Sequence, residues 1–530
     1  MNPTIKRLWR LRRVRAGLIL LGAALFVAVA VAYVDWTGAH RLEEAREMVA
    51  REGESLDMHA SAPDPVPDDQ NFFAIPALKG LALCSTDAKD TSELGLKLSR
   101  LANAGLYGDA LKTFRDKLPP APPFPPGASR GVPTDLAAWA DWLRKKGSVP
   151  ALPDTAAPAQ VVLAALSKND ALIQELAQGL SRPESQWTPA WKVRSLPDNP
   201  LEIALPNYTV TQSLVPMLCL RAAAAARVGD SDAAQLSLLI AARLTQAYMR
   251  EPLFIGTLVA CGQTVVINNA VWELCDAHCG TADQFRVLQE ALTKLDFRQG
   301  LLCAERGEMA GAFNAIAYFS RTRNPVFLAM ASSMGTEKEW HARSFWVRLI
   351  PDGFFESNEA TLVDWHLRYF LEPLRDAGLM QMLAKGQELD SMVKTYQQDP
   401  ARHLDSDLAQ LWVSAVARAI YKIIYTQSVE NQAIAACALE RYRIEHGSYP
   451  DTLEAANHPG EPPIPLDIVS GKPMGYRKTQ DGRYILWCVS FSGVDHGGRR
   501  VLDKLDPGHT RFTAPNYQGD WVWSFQEAAN

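Results

Sequence analysis

Several signatures of common catalytic chemistry are missing from this chain of 530 residues. There is no phosphate-cradling Gly-x-x-x-x-Gly-Lys loop, no dinucleotide glycine fingerprint after a strand, no His-Glu-x-x-His and no Gly-x-Ser-x-Gly. The readiest nucleotide, zinc-peptidase and serine-hydrolase readings therefore have no foothold. A basic excess is also missing. The net charge is -5, which argues against a general nucleic-acid binder and leaves nucleic acid out of the expected partners. Acid is absent from residues 1–15 and again from 16–34. No second long uncharged run is apparent: "LVPMLCLRAAAAARV" is interrupted by Arg221 and ends at Gly229-Asp230, so it reads as a buried helix.

What is present begins with charge. Lys6, Arg7, Arg10, Arg12, Arg13 and Arg15 precede an uncharged run from Ala16 to Val34. As a helix that run spans about 28 Å, close to a bilayer's hydrocarbon thickness. Asp35, Glu43, Glu44, Glu47, Glu52 and Glu54 follow. Basic before and acidic after predicts a cytoplasmic N-terminus, one crossing, and the bulk of the chain in the periplasm of an inner-membrane protein. The alternative is a cleaved signal peptide, for which Ala30-Val31-Ala32 supplies a small-x-small site. The run is long for a signal core, and "RLEEAREMVAREGE" reads as the same helix continuing.

The chain has 8 cysteines, irregularly spaced and mostly in Ala- or Leu-rich context. They read as free and buried, although an exported domain is permitted disulfides. In "CDAHC", Cys275 and Cys279 would share a helix face with His278 beside them, but no second ligand pair accompanies them as zinc would require. Cys437 and Cys488 are expected to face each other in the C-terminal part.

The fold class expected is mainly α: an N-terminal transmembrane helix, an irregular helical array, and a small C-terminal α+β module with an antiparallel hairpin. Boundaries fall at a basic segment 1–15, a transmembrane helix 16–34, a juxtamembrane region 35–118 with a short helix near Phe72, a proline-rich linker 119–160, helices over 161–405 and a terminal module 406–530. Between Pro119 and Pro126 every residue but Ala121 and Phe124 is proline, which predicts an extended spacer. From about Val161 to Tyr425 apolar residues recur with helical period. Two helices joined by Gly229-Asp230-Ser231-Asp232 should form a hairpin, with Gly229 ending the first and Ser231 or Asp232 capping the second. The pair looks like one tetratricopeptide-like unit, but no clean repeat period follows. Such arrays present surfaces to protein partners.

The longest helix is predicted from Ser406 to His446. Gly447 suits its left-handed end and Pro450 forbids continuation. Then the period changes to two. Asp481-Gly482 separates two β-prone runs, a strong hairpin signal. Tyr484, Leu486 and Cys488 should share one face, with Ile485, Trp487 and Val489 on the other.

This C-terminal order resembles the terminal module of the type II secretion major pseudopilin, over about 90 residues. The matching positions are Gly447, Tyr449 and Pro450, then Pro465, Asp467, Gly471, Pro473 and Tyr476, then Ser490, Gly493, Asp495 and Gly497. The preceding part is also similar to uncharacterised bacterial membrane-anchored proteins that carry such a tail. The resemblance implies a calcium-binding terminal loop, with Asp495 the matching carboxylate and Ser490 its neighbour. Calcium takes six to eight oxygens. Asp503 and Asp506 lie near in sequence, but His496 and Arg499-Arg500 intrude. The competing reading is a glycine turn capped by the Asp495 side chain. The family's leader departs here as well. A glycine-cleaved leader would end at Gly17, and the fifth residue after it is Gly22 rather than an acid.

Three further polar sites stand out. His366 in "DWHLRYF" and His341 in "EWHARSFW" lie beside acids and tryptophans, a composition seen in carbohydrate sites. Glu305 and Glu308 share one helix turn and are expected to bind Arg306 or Arg321. Together these features predict a single-pass membrane-anchored envelope protein, a non-enzymatic scaffold or interaction protein associated with secretion or envelope assembly. The alternative is a membrane-anchored extracytoplasmic hydrolase with its site among the helices.

Overall fold

A computed structural model describes residues 3–79, 120–124, 131–153, 155–187, 206–323, 348–399, 402–461, 463–501 and 512–525, with positions 101, 200 and 203. His341, Asp503, Asp506, Cys84 and most of the 80–118 region lie outside the described residues.

The described chain is mainly helical, with a three-stranded antiparallel sheet near its C-terminus. Helix α1 runs unbroken over Pro3–Arg51. Its apolar window is 0% buried, and it is long and apolar enough to cross a membrane. Tyr33 and Trp36 stand exposed at the end of that window, where aromatic side chains suit a membrane interface. Beyond them the same helix turns a stripe inward, and Leu42, Ala45 and Val49 are core residues.

The body comprises α2 (Leu136–Lys145), α3 (Pro158–Leu166), α4 (Asp170–Gly179), α5 (Pro206–Val228), α6 (Ser231–Gln246), α7 (Phe254–Asp276), α8 (Ala282–Thr293), α9 (Phe297–Thr322), α10 (Asp352–Trp365), α11 (Leu379–Tyr396) and α12 (Ala409–His446). Helix α7 packs against α5, α6, α9 and α12. It too is long and apolar enough to cross a membrane, but 67% of its window is buried inside the protein. The expectation of no second such run is corrected accordingly: α7 passes by composition, and burial sets it apart.

The α5–α6 hairpin forms as its punctuation demands, with Gly229 at φ +78°. Its cap is Asp230, whose carboxylate accepts from Ala233 N at 3.0 Å, and not Ser231 or Asp232. Helix α12 ends at Gly447 with φ +78°, as expected. It begins at Ala409 rather than Ser406, because residues 404–408 form turns held against α10. Asn358 holds them twice: Nδ2 donates to Leu404 O at 2.9 Å, and Oδ1 accepts from Leu408 N at 2.8 Å.

Strands β1 (Gly475–Lys478) and β2 (Tyr484–Cys488) form the expected hairpin around Gly482, at φ +77°. A third strand, β3 (Trp521–Ser524), pairs with the other edge of β2 and was not foreseen. Both faces of β2 are covered. Tyr484, Leu486 and Cys488 join the main core, while Ile485 and Trp487 pack with Val522. Gly475 faces the Trp487 indole so closely that a Cβ there would overlap the ring.

Cys437 and Cys488 do not face each other as expected. Both are free, like all the described cysteines. Cys488 Sγ lies 3.9 Å from Ser428 O, and Cys437 sits nine residues further along α12, about 13 Å of rise. Cys275 and Cys279 do not share a helix face either. Helix α7 ends at Asp276, and His278 turns left-handed with φ 49°.

Candidate functional site

A pocket of about 260 Å3 opens where α1 meets the body. One wall is α1, with Arg41, Glu44 and Met48. The opposite wall is the end of α10 and the turn after it, with Thr361, Asp364, Trp365 and Arg368. Tyr396, at the end of α11, and the following His403, Asp405 and Ser406 close the third side.

Local chemistry explains each wall. Gly38 and Gly353 let α1 and α10 cross backbone to backbone, and a Cβ on either would overlap the other chain. Gly353 N also donates to Asp35 Oδ1 at 2.8 Å. Arg41 then reaches across to Asp405 at 2.6 Å and Thr361 at 2.9 Å, joining all three walls. Arg368 binds Asp364 at 2.5 Å, one turn before it. Burial pushes the Asp364 carboxyl up, and Arg368 pulls against that shift. The His403 ring stacks on Tyr396 at 3.7 Å, nearly parallel.

The sequence drew attention to "DWHLRYF", and the structure divides that segment between two places. Residues His366–Leu371 form one π-helical turn, a feature frequent at functional sites. Asp364, Trp365 and Arg368 line the pocket, whereas His366 turns into the interior. There its Nδ1 meets Glu305 Oε2 at 3.2 Å, with both side chains fully buried. His366 Nε2 and Glu305 Oε1 have no partner among the described residues. The expected pairing of Glu305 and Glu308 with Arg306 or Arg321 is therefore corrected. Arg306 binds Glu54 of the post-α1 turn at 2.8 Å, and Glu308 accepts from Phe254 N at 3.0 Å. Desolvation raises the Glu308 carboxyl, and that hydrogen bond opposes the rise. No linear signal links residue 305 to 366.

In the C-terminal loop, Ser490 and Asp495 serve different partners. Asp495 Oδ1 accepts from Trp487 Nε1 and from Gly497 N, both at 2.8 Å. Ser490 is buried and donates to Tyr517 O at 3.3 Å. A carboxylate that the motif did not mark, Asp520 before β3, accepts from Gly498 N at 2.8 Å and from His496 N at 3.1 Å. The other matched positions are also tied internally. Asp467 accepts from Val469 N, Ser470 Oγ and Val489 N, clamping the Pro465–Pro473 segment to the end of β2. The Tyr449 hydroxyl donates to the buried Glu440, which also holds Arg443 at 2.9 Å and faces His278 at 3.3 Å. His278 of "CDAHC" thus contacts a carboxylate of α12. Among the described residues no group of three or more metal-ligating side chains converges.

No family model, no curated protein and no solved structure matches this chain.

Proposed function

We propose that this chain is a single-pass protein of the inner membrane, with its N-terminal segment in the cytoplasm and its body in the periplasm. There it acts as a non-enzymatic scaffold or interaction protein of the envelope. One observation carries the reading: α1 leaves its bare apolar half and enters the core of the body without a break. A cleaved signal would remove a helix whose remainder is built into the fold. The orientation follows from Arg-rich residues before the apolar run and acids after it.

The helices between α2 and α12 act in this reading as an irregular array that presents surfaces. The C-terminal part acts as a pseudopilin-like folding module packed on the end of α12, without a polymerising role. The junction pocket supports binding over turnover, because Asp364 and Asp405 are each held by an arginine.

The test is protease accessibility in spheroplasts of cells expressing a C-terminally tagged chain. External protease should remove the tag, and membranes washed with carbonate should retain the protein. A tag that survives, or a chain released by the wash, would refute the topology.

A further inference from the structure

The geometry points to the α1–α10 junction pocket as a saccharide-binding site for a neutral, hydroxyl-rich ring of one or two sugar units. The argument starts from charge. Three carboxylates, Glu44, Asp364 and Asp405, meet two guanidiniums, Arg41 and Arg368. A phosphate or other anion would face more negative than positive charge. A simple cation would have to compete with arginines already bound to two of the acids. A hydroxyl group both donates and accepts. It can therefore accept from a guanidinium and donate to the adjacent carboxylate without breaking the pair. The two Arg–Asp pairs on different walls offer that bridge twice.

Two of the walls support the same ligand. Trp365, Tyr396 and the His403 stacked on it bring aromatic rings to a site lined otherwise by the charged groups, Thr361, Ser406 and the apolar Ala45, Met48 and Ala360. Ring faces carry negative potential and attract the weakly positive C–H face of a pyranose. Size sets the limit. About 260 Å3 lies just under the range of roughly 300–1,000 Å3 that holds drug-sized ligands. That suits one ring, or the end of a chain, rather than a long oligosaccharide. Position adds a source. Arg41 lies about 10 Å of helix beyond Val34, so a glycan on a lipid carrier could reach the pocket as readily as a free one.

This inference rests on the docked position of α1, and not on which side of the membrane the body occupies. A topology result against export leaves the titration valid, and a failed titration leaves the topology intact. The experiment titrates the full-length protein in nanodiscs by calorimetry. The probes are N-acetylglucosamine, its trimer and maltotriose, with glycine, lysine and inorganic phosphate as competing chemistries. At least one saccharide should bind. Asp364→Asn and Tyr396→Leu should each weaken it about tenfold or more, with melting temperature preserved in Asp364→Asn. Arg286→Gln, in a surface ion pair of α8, should leave binding unchanged. Tighter binding of a lipid-tailed trimer than of the free one identifies a membrane-borne source, and equal binding identifies a soluble one. If no saccharide binds, or both pocket variants bind like wild type, or only glycine, lysine or phosphate binds, the proposal is overturned.

Discussion

The acids of the C-terminal module and the acids of the junction pocket have opposite employments. Asp467, Asp495 and Asp520 accept donors from within their own module, several of them backbone N–H groups. Each such bond fixes a turn. At the junction, Asp364 and Asp405 sit at the edge of open space, and each is held by an arginine side chain, Arg368 one turn along and Arg41 from α1. The first arrangement holds a shape, and the second offers a surface. The acids Asp467 and Asp495 that the sequence singled out therefore read here as architecture, whereas most of the pocket's lining carries no local signal in the sequence.

The sharpest way to break the contrast is to remove the junction. Gly353→Val places side-chain atoms into the backbone of α1 near Val34. Overpacking against backbone with no room to yield should destabilise by about 3 kcal/mol or more. Protease should then cut near residues 52–56, where wild type resists. The C-terminal counterpart is Asp467→Ala. It strands the Val489 and Val469 N–H groups and the Ser470 hydroxyl, and should cost about 2–3 kcal/mol in urea unfolding while leaving saccharide binding unaltered.

A third measurement uses pH. Burial raises the carboxyls of Glu430, beside Asn268, and of Glu359, near Glu356 and Arg46, each to about 8. Both hold their proton more tightly folded than unfolded. Their contribution is thus fully present below the ordinary glutamate range and is lost as pH rises toward 8. Melting temperature should rise as pH falls from 8.5 to 5.5, and Glu430→Gln should flatten that slope. A profile that rises with pH instead would contradict the burial argument. The smallest effect belongs to Asp495→Ala. Losing the bonds to Trp487 and Gly497 should cost about 1 kcal/mol, equally with and without added calcium. A calcium-dependent gain in wild type that this variant lacks would make the loop a metal site instead of a self-capped turn.

Legibility followed the range of the physics. The apolar run of α1, the stop at Gly447 and the Asp481-Gly482 hairpin are local events, and local residues announce them. Strand β3 was missed because "WVWS" gains its meaning only beside β2, more than thirty residues earlier. The Glu305–His366 contact joins a helix to a π-turn with no shared period. The pocket draws on residues near 41, 365 and 403, and only the middle stretch drew attention in the sequence, through its histidine. The structure puts that histidine elsewhere.

In the proposed membrane topology, the Gly38–Gly353 crossing would make α1 behave as a screw thread between bilayer and body. Each residue of helix advances about 1.5 Å and turns about 100°. One alanine inserted between Tyr33 and Val34 would therefore lift the body off the bilayer slightly, and at the same time swing it by more than a quarter turn against the lipid-facing side of the apolar segment. Height and azimuth cannot be set independently. Any neighbour that grips both the membrane-embedded face and the body must read a single register, and a series of one to four inserted alanines should restore cross-linking to that neighbour only near the fourth. A monotonic decline across the series would mean that the thread slips.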